Sequence, residues 1–289
     1  MRADSRFLAQ PRQFWANVRS ISQELGYTKR AGRGKSSSVK VHTVKEMGAA
    51  MTALGLTSDH MVVGNAPTDL GRNLEAYFAY RARVLNEFVE PQLMNAAAAK
   101  KEFDHLRNQL KPKCALPMNK QKGEKREHAY LTGIVNMLVE KSLGGLPVNF
   151  NPLHLTTFTA NDAPLRTLSR RVDGAFPHTV NPIGIWEIKE YYFTTSFGSR
   201  IADGVYETQL DGMELAELRD SEQVSVEHLL IVDAYDTWWL KGRSYLCRII
   251  DMLHMGLVDE VLFGREVIEA LPAIIANWTA TYRARVQRP

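Results

Sequence analysis

The sequence predicts an α/β (α+β) fold in which a mixed β-sheet is flanked by helices and preceded by a mainly helical N-terminal part. Apolar residues recur at helical spacing through most of residues 1–110. From about residue 124, short apolar segments alternate with helical patterns, which is typical of a sheet covered by helices. Apolar residues make up 45% of the 289 residues, so the chain is large and apolar enough to bury a sizeable core.

The N-terminal part is predicted to be helical and is a candidate DNA-recognition module. The apolar spacing over residues 14–25 predicts one helix, and Gly26 suits the position after the end of that helix. Thr43 and Glu46 have the spacing of a capping box, which predicts the start of a second helix. Residues 69–108 follow a helical pattern again.

Residues 111–289 form the second predicted part, which begins with a linker rich in lysine, proline and glycine. The turn residues Pro177 and Asn181 predict that two of its strands pair as a hairpin. The predicted elements are, in chain order, a helix over residues 124–141, strands over 153–159, 168–176 and 183–193, a helix over 200–219, a strand over 228–235, a helix over 243–255, a strand over 258–263 and a helix over 266–280.

Two charged side chains interrupt the apolar strand predicted over residues 183–193. Because side chains alternate between the two faces of a strand, Glu187 and Lys189 point the same way, about 7 Å apart along the chain. Burying these charges without partners is unfavourable, which indicates a function for them. In the predicted hairpin, Asp173 of the preceding strand approaches Glu187. The alternative for Glu187 and Lys189 alone is an ion pair on an exposed strand.

Two carboxylates that meet at one point repel each other unless a cation lies between them. Mg²⁺ is the expected ion, because it is bound by one or two carboxylates together with substrate phosphates and waters. Such a centre suits phosphodiester hydrolysis, since the metal neutralises charge and lowers the pKa of a bound water. Lys189 would orient that water, stabilise negative charge or relay a proton, and the sequence leaves these roles open.

These residues resemble the PD-(D/E)xK nuclease superfamily, and in particular the type II restriction endonucleases. The resemblance rests on Asp173-Gly174, on Glu187-Ile188-Lys189 and on the order of the elements around them, and it does not cover the N-terminal third. It implies a restriction-endonuclease-like core in which Asp173 and Glu187 bind Mg²⁺. It also implies that Ile188 belongs to the metal-binding residues and that Lys189 assists the attack of water.

The resemblance implies a further acidic residue from the first core helix. Glu127 is the first candidate for this position and Glu124 is the second. Val172 stands where the name-giving motif has proline, a position at which members vary. The likeness to type II restriction enzymes implies cleavage of both strands of DNA at a specific sequence, and hence a homodimer with two active sites.

Basic residues in two segments are the predicted DNA contacts. The first segment combines cations with glycines and suits an arm that follows the DNA backbone, and the second precedes Asp173 and suits phosphates beside the cut. The alternatives are a disordered surface loop and ordinary surface charge. The residues concerned are Lys29, Arg30, Arg33, Lys35, Arg166, Arg170 and Arg171. For Glu207 and Gln209, on the following helix, a solvated helix face is preferred to a place near the active site.

The remaining expectations concern location and partners. The N-terminus lacks the apolar region of a signal peptide, no segment is apolar enough to span a membrane, and two distant cysteines fit a reducing, prokaryotic-type cytoplasm. No nucleotide-cofactor motif is present, so double-stranded DNA and a second copy of the chain are the expected partners. The alternatives are a nuclease for repair, junction resolution or modification-dependent cleavage, and a DNA-binding protein without catalysis.

Overall fold

The structure of the protein, a computed structural model, describes residues 1–29, 38–64, 66–121, 124–193 and 198–287 and has the predicted mixed α/β character. The helices are α1 (Ser5–Leu8), α2 (Arg12–Leu25), α3 (Val44–Ala53), α4 (Asp69–Arg83), α5 (Glu90–Gln92), α6 (Ala96–Leu110), α7 (Tyr130–Leu143), α8 (Ser199–Glu222), α9 (Arg243–His254) and α10 (Glu266–Val286), with π-helical turns at Val84–Val89 and Tyr235–Lys241. The strands are β1 (Thr28–Lys29), β2 (Ser38–Val39), β3 (Val62–Val63), β4 (Ala66–Pro67), β5 (Met118–Gln121), β6 (Glu124–His128), β7 (Thr157–Ala160), β8 (Ala163–Thr167), β9 (Gly174–Phe176), β10 (Gly184–Glu190), β11 (Glu227–Asp233) and β12 (Glu260–Phe263). None of the helices in these ranges combines the length and the apolar composition that crossing a membrane requires.

The central sheet has the strand order β12-β11-β10-β9. β9 runs antiparallel to β10, whereas β10, β11 and β12 are parallel to one another. α8 connects β10 to β11 and covers one face, where Ile185 packs with Leu215 and Leu218. α7 and α10 cover the other face, where Trp186 stacks with Trp278. Because helices cover both faces, β10 is buried along most of its length, as its apolar sequence indicates.

The N-terminal helices α2, α3 and α4 surround a separate core that includes Phe14 and Phe78. A buried ion pair fixes this unit to α9, because Arg81 Nη1 lies 2.9 Å from Asp251 Oδ1. The Tyr77 hydroxyl donates a hydrogen bond to the same oxygen at 2.7 Å. Neither charge is stable in the interior without the other, so the N-terminal unit is held against α9 and beside α8.

The first element of the second part corrects the predicted helix over residues 124–141. Residues Glu124–His128 form β6, which pairs with β5, and α7 begins only at Tyr130. The segment Glu124–His128 contains no apolar residue, so a helix there would have no face to bury. The apolar pattern, and with it the helix, starts at Tyr130.

The strand predicted over residues 153–159 is shorter and has a partner that the sequence pattern did not indicate. β7 pairs with β8 as a hairpin of its own. The turn residues Asn161 and Asp162 have φ angles of 49° and 63°. Asn and Asp enter this left-handed region more readily than other side chains, which favours a tight hairpin turn between the two strands.

The helix α6 packs with the second part, although it precedes the predicted boundary after residue 110. Phe103 belongs to the same buried cluster as Leu131 and Ile134 of α7. The two helices are so close that a Cβ at Gly133 would lie 2.4 Å from Cε2 of Phe103. The core of the second part therefore includes α6.

Candidate active site

The hairpin of β9 and β10 brings Asp173 to the middle of β10. Gly174 pairs with Trp186, so the same register places Asp173 opposite Glu187. The Asp173 N–H donates to the Trp186 carbonyl at 3.1 Å, and Asp173 Oδ2 accepts the Ile188 N–H at 2.7 Å. At Asp173 this side-chain hydrogen bond takes the place of a main-chain hydrogen bond between the two strands. The strand β9 therefore begins at Gly174 and not at residue 168 as predicted. Asp173 thus meets β10 at the place that the hairpin predicts.

Two glycines permit close approaches in the site. A Cβ at Gly174 would lie 1.9 Å from Cε2 of Trp186, which no side chain tolerates. A Cβ at Gly204 of α8 would lie 2.5 Å from the Tyr191 hydroxyl oxygen and 3.3 Å from Cδ of Lys189. Gly174 lets the Asp173 segment lie close against Trp186 of β10. Gly204 lets the Lys189 side chain run along α8.

Glu187 and Lys189 lie on the face of β10 that α8 covers, with only 0% and 6% of their surfaces exposed. Lys189 Nζ is 3.1 Å from Glu187 Oε2 and 3.2 Å from Glu207 Oε2. Burial alone would lower the pKa of Lys189, but the negative charges of Glu187 and Asp173 outweigh burial and raise that pKa. Lys189 is therefore protonated at neutral pH.

Arg170 lies inside this site, whereas the sequence suggested that it contacts DNA phosphates. Its Nη1 is 3.0 Å from Glu187 Oε1 and 2.5 Å from Asp211 Oδ2. Its Nη2 is 3.1 Å from Glu187 Oε2 and 3.5 Å from Glu207 Oε2. Burial would lower the pKa of Arg170, but Glu187 and Asp211 outweigh it and raise the pKa. In the ion-pair network of the structure, Arg170 is the counter-ion of three carboxylates.

Glu207 and Asp211 also belong to this ion-pair network, although the sequence favoured a solvated helix face for Glu207 and gave no role to Asp211. Glu207 contacts Lys189 and Arg170 and is not simply a solvated helix residue, and Asp211 is completely buried. The two residues are one helical turn apart on α8. This spacing is the sequence feature that indicates that both side chains lie on the same side of the helix. Gln209, by contrast, lies on the side of α8 that faces α2.

The environment raises the pKa values of two carboxyl groups here. Asp173 keeps exposed surface at the mouth of the site, but the surrounding protein displaces much of its water, which raises its pKa to about 6, and the charge of Glu187 adds to the effect. Burial raises the pKa of Asp211 to about 7, although Arg170 opposes this rise. A bound cation would favour the charged form of both groups.

The donor set at Asp173 and Glu187 fits a divalent cation of the Mg²⁺ type. Glu187 Oε1 is buried and makes no hydrogen bond, although it lies 3.0 Å from Arg170 Nη1 in an ion pair. The N–H and C=O of a strand residue point to the same edge, so the Ile188 carbonyl faces Asp173. Within the described ranges, no group of three or more His, Cys, Asp or Glu side chains is arranged to hold a metal. Mg²⁺ needs only one or two carboxylates, with phosphates and waters for the remainder.

Glu127, predicted as an acidic residue on the first core helix, lies on the strand β6 and is exposed. Its Oε2 accepts the Tyr130 hydroxyl at 2.5 Å. In the part of the chain that the structure describes, no contact joins Glu127 to Asp173 or Lys189. The structure therefore does not bring Glu127 into the site, and the side chain of its alternative, Glu124, lies outside the described residues.

The other predicted DNA contacts lie apart from this cluster. Lys29 is exposed on β1, Arg171 is exposed beside Arg170, and Arg166 forms an ion pair with Glu217 of α8. Arg30, Arg33 and Lys35 lie outside the described residues.

Asp233, at the end of β11, is a buried carboxyl group outside the site. It accepts the Met94 N–H at 2.7 Å, the Ala234 N–H at 2.9 Å and the Tyr192 hydroxyl at 2.5 Å. Burial raises its pKa to about 7. These bonds attach the chain just before α6 to the end of the sheet.

We expect Asp233→Asn to change how stability depends on pH. The native state holds this proton more tightly than the unfolded state, because the folded pKa of about 7 exceeds the ordinary 3.8. The contribution of Asp233 to the free energy of unfolding therefore falls as pH rises from about 4 to about 7, and it stays constant above that. Asn does not ionise and retains two acceptor bonds and one donor bond, so the stability of the wild type relative to the variant should decrease over this range.

Urea unfolding of both proteins between about pH 5 and pH 8 measures this difference. Asp220→Asn, on the exposed end of α8, is the control and should follow the wild type. If the free energies of unfolding of wild type and Asp233→Asn change in parallel with pH, the pKa of Asp233 is the same in the folded and unfolded states.

Comparison with known protein families finds two matches. The family described as Domain of unknown function (DUF7687) matches residues 94–278, and the family described as Domain of unknown function (DUF7690) matches residues 1–88. No curated protein and no solved structure matches the chain. The first match contains the whole candidate site, and the division between the matches precedes α6.

Proposed function

We propose that this protein, which belongs to the family described as Domain of unknown function (DUF7687), is a Mg²⁺-dependent endonuclease that cuts double-stranded DNA at a specific sequence, as type II restriction enzymes do. One observation carries the proposal. Asp173, directly before β9, lies beside Glu187 and Lys189 of β10, at a site whose mouth is open to solvent beside Asp173. Two carboxylates and a protonated amine at one point are the groups that metal-assisted phosphodiester hydrolysis requires.

Each residue has a distinct part in this mechanism. Asp173, Glu187 and the Ile188 carbonyl would hold Mg²⁺, which when bound supplies charge neutralisation and a water of lowered pKa. Lys189 keeps the proton on Nζ, because neighbouring carboxylates raise its pKa. It therefore acts as a hydrogen-bond donor that orients the attacking water and stabilises negative charge on the phosphate, and not as a general base.

Arg170 acts on the reaction through Glu187. Its guanidinium joins Glu187 to Asp211 of α8, and both carboxylates are completely buried. A pair of charge-assisted contacts to one carboxylate restricts its rotamer. Arg170 is thus a positioning residue for Glu187, and α8 supports the geometry of β10.

Incubation of plasmid DNA with the protein tests the proposal. Discrete fragments are expected with Mg²⁺ and none with EDTA, because chelation removes the cation that the carboxylates require. Asp173→Asn should leave the plasmid intact, whereas Asp220→Asn, an exposed substitution on α8, should cut like the wild type.

The other outcomes have definite meanings. An intact plasmid that migrates more slowly with wild-type protein would indicate DNA binding without catalysis, and a smear would indicate cleavage without sequence specificity. Equal cutting by wild type and Asp173→Asn would exclude Asp173 from the mechanism.

A further inference from the structure

A cleft of about 450 Å³ separates the N-terminal helix α2 from α8 and α9. This volume lies within the roughly 300–1,000 Å³ of ordinary ligand sites. The side chains in its wall include Arg19, Gln23, Tyr27, Tyr206, Gln209 and Arg248. The cleft is therefore built from both parts of the chain and combines guanidinium groups, amides and aromatic rings.

The cleft has an excess of positive charge. Over the described ranges, no carboxylate lies within ion-pair distance of Arg19 or Arg248. The acidic residue in the wall, Asp251, already neutralises the buried Arg81. An anion in the cleft would meet two guanidiniums that have no carboxylate partner within the described ranges.

The cleft also offers an aromatic surface. Arg248 lies over the Tyr27 ring at 5.3 Å and donates a hydrogen bond from Nη1 to the Tyr206 hydroxyl at 2.6 Å. These contacts hold the Tyr206 ring in place, yet 51% of the residue remains exposed. A fixed and exposed tyrosine ring, next to arginines that have no carboxylate partner in the described part of the chain, suits a planar ligand that carries negative charge.

The position of the cleft relates it to the active site. Tyr206 and Gln209 lie on either side of Glu207 along α8, and Glu207 contacts Lys189 at 3.2 Å. The cleft and the candidate site therefore share the helix α8. We propose that the cleft binds a nucleotide of the DNA strand near the cut, with a phosphate between Arg19 and Arg248 and its base flipped out of the duplex onto Tyr206. This inference rests on the proposed nuclease function, and it names the surface by which the N-terminal part contacts the substrate.

The test is the affinity for a short fluorescein-labelled DNA duplex, measured by anisotropy in EDTA over a series of salt concentrations. Arg19→Ala should reduce the slope of log Kd against log salt concentration by about 1, because one phosphate contact is lost. Tyr206→Ala should weaken binding about 5- to 150-fold without changing this slope, because a stacked ring carries no charge. Tyr206→Phe keeps the ring and should remain within a few fold of the wild type.

Arg12→Ala provides the matched control, since Arg12 is an exposed arginine on the same helix but does not line the cleft. An unchanged slope for Arg19→Ala, an unchanged affinity for Tyr206→Ala, or no binding by the wild type would each overturn the proposal. The measurement needs no cleavage, so it is separate from the plasmid test. A protein that cuts DNA with unaltered affinity in both variants would refute the cleft alone, whereas the expected shifts without any cleavage would support the cleft and refute the nuclease.

Discussion

Lys189→Ala should lower the rate of DNA cleavage by about 10²- to 10⁴-fold, while the affinity for uncleaved DNA stays within a few fold of the wild type. Lys189 is almost completely buried and paired with Glu187, so it presents little charge to the bulk of the DNA. Its protonated Nζ lies beside the carboxylates that would hold the metal. The substitution therefore removes stabilisation of the transition state and little ground-state binding.

Single-turnover cleavage in Mg²⁺ and DNA binding in EDTA measure the two effects separately. Lys101→Ala, an exposed lysine on α6, is the control for loss of one positive charge. Thermal unfolding of each variant checks that the fold is intact. If Lys189→Ala cuts as fast as the wild type, Lys189 has no part in the reaction, and if binding is lost in parallel with cleavage, it is a DNA contact.

Arg170→Gln should lower the free energy of unfolding in EDTA by about 3 kcal/mol, because it breaks a buried ion pair. This value is the lower end of the range for such pairs, since 23% of the Arg170 side chain is exposed. The variant leaves Glu187 and Asp211 buried next to each other without the guanidinium that joins them. Mg²⁺ should restore part of the lost stability, because a bound cation replaces the missing positive charge and binds the folded state alone.

Urea unfolding with Mg²⁺ and with EDTA measures both changes. Arg171→Gln is a closely matched control, since Arg171 is the next residue and is exposed, and its loss should change the stability by no more than about 0.5 kcal/mol. Equal stabilities of the two variants would mean that the Arg170 ion pairs contribute nothing. An equal increase in stability on adding Mg²⁺ to wild type and to Arg170→Gln would show that the metal does not bind at these carboxylates.

The central motif of the site could be predicted because it depends on local geometry. Side chains alternate along any strand, so Glu187 and Lys189 share a face wherever the strand is placed. The turn after β9 returns the chain antiparallel, which sets Asp173 opposite Glu187. Apolar runs also identified β10 and β11 to within a few residues, since burial on both faces of a parallel sheet leaves a continuous hydrophobic pattern. The helical pattern identified α8 equally closely.

Where the local pattern is weak, the prediction failed. The polar segment Glu124–His128 was assigned to a helix because an apolar helix follows it, but it forms β6 by pairing with β5. The segment has no apolar face that a helix could bury, and the strand partner that it pairs with instead lies outside the segment. For the same reason Glu127, assigned to the helix, lies on a strand away from Asp173.

The residues around the motif depend on how α8 packs on the sheet. Arg170, Glu207 and Asp211 meet because α8 crosses the face of β10 that carries Glu187, and no sequence spacing states which turn of a helix meets which strand residue. The pairing of Arg170 with buried carboxylates, and not with solvent, follows from the same contact, because a charge removed from water needs an opposite charge beside it. The sequence by itself thus predicts that Asp173, Glu187 and Lys189 come together at β10, and the packing of α8 decides which charged side chains surround them.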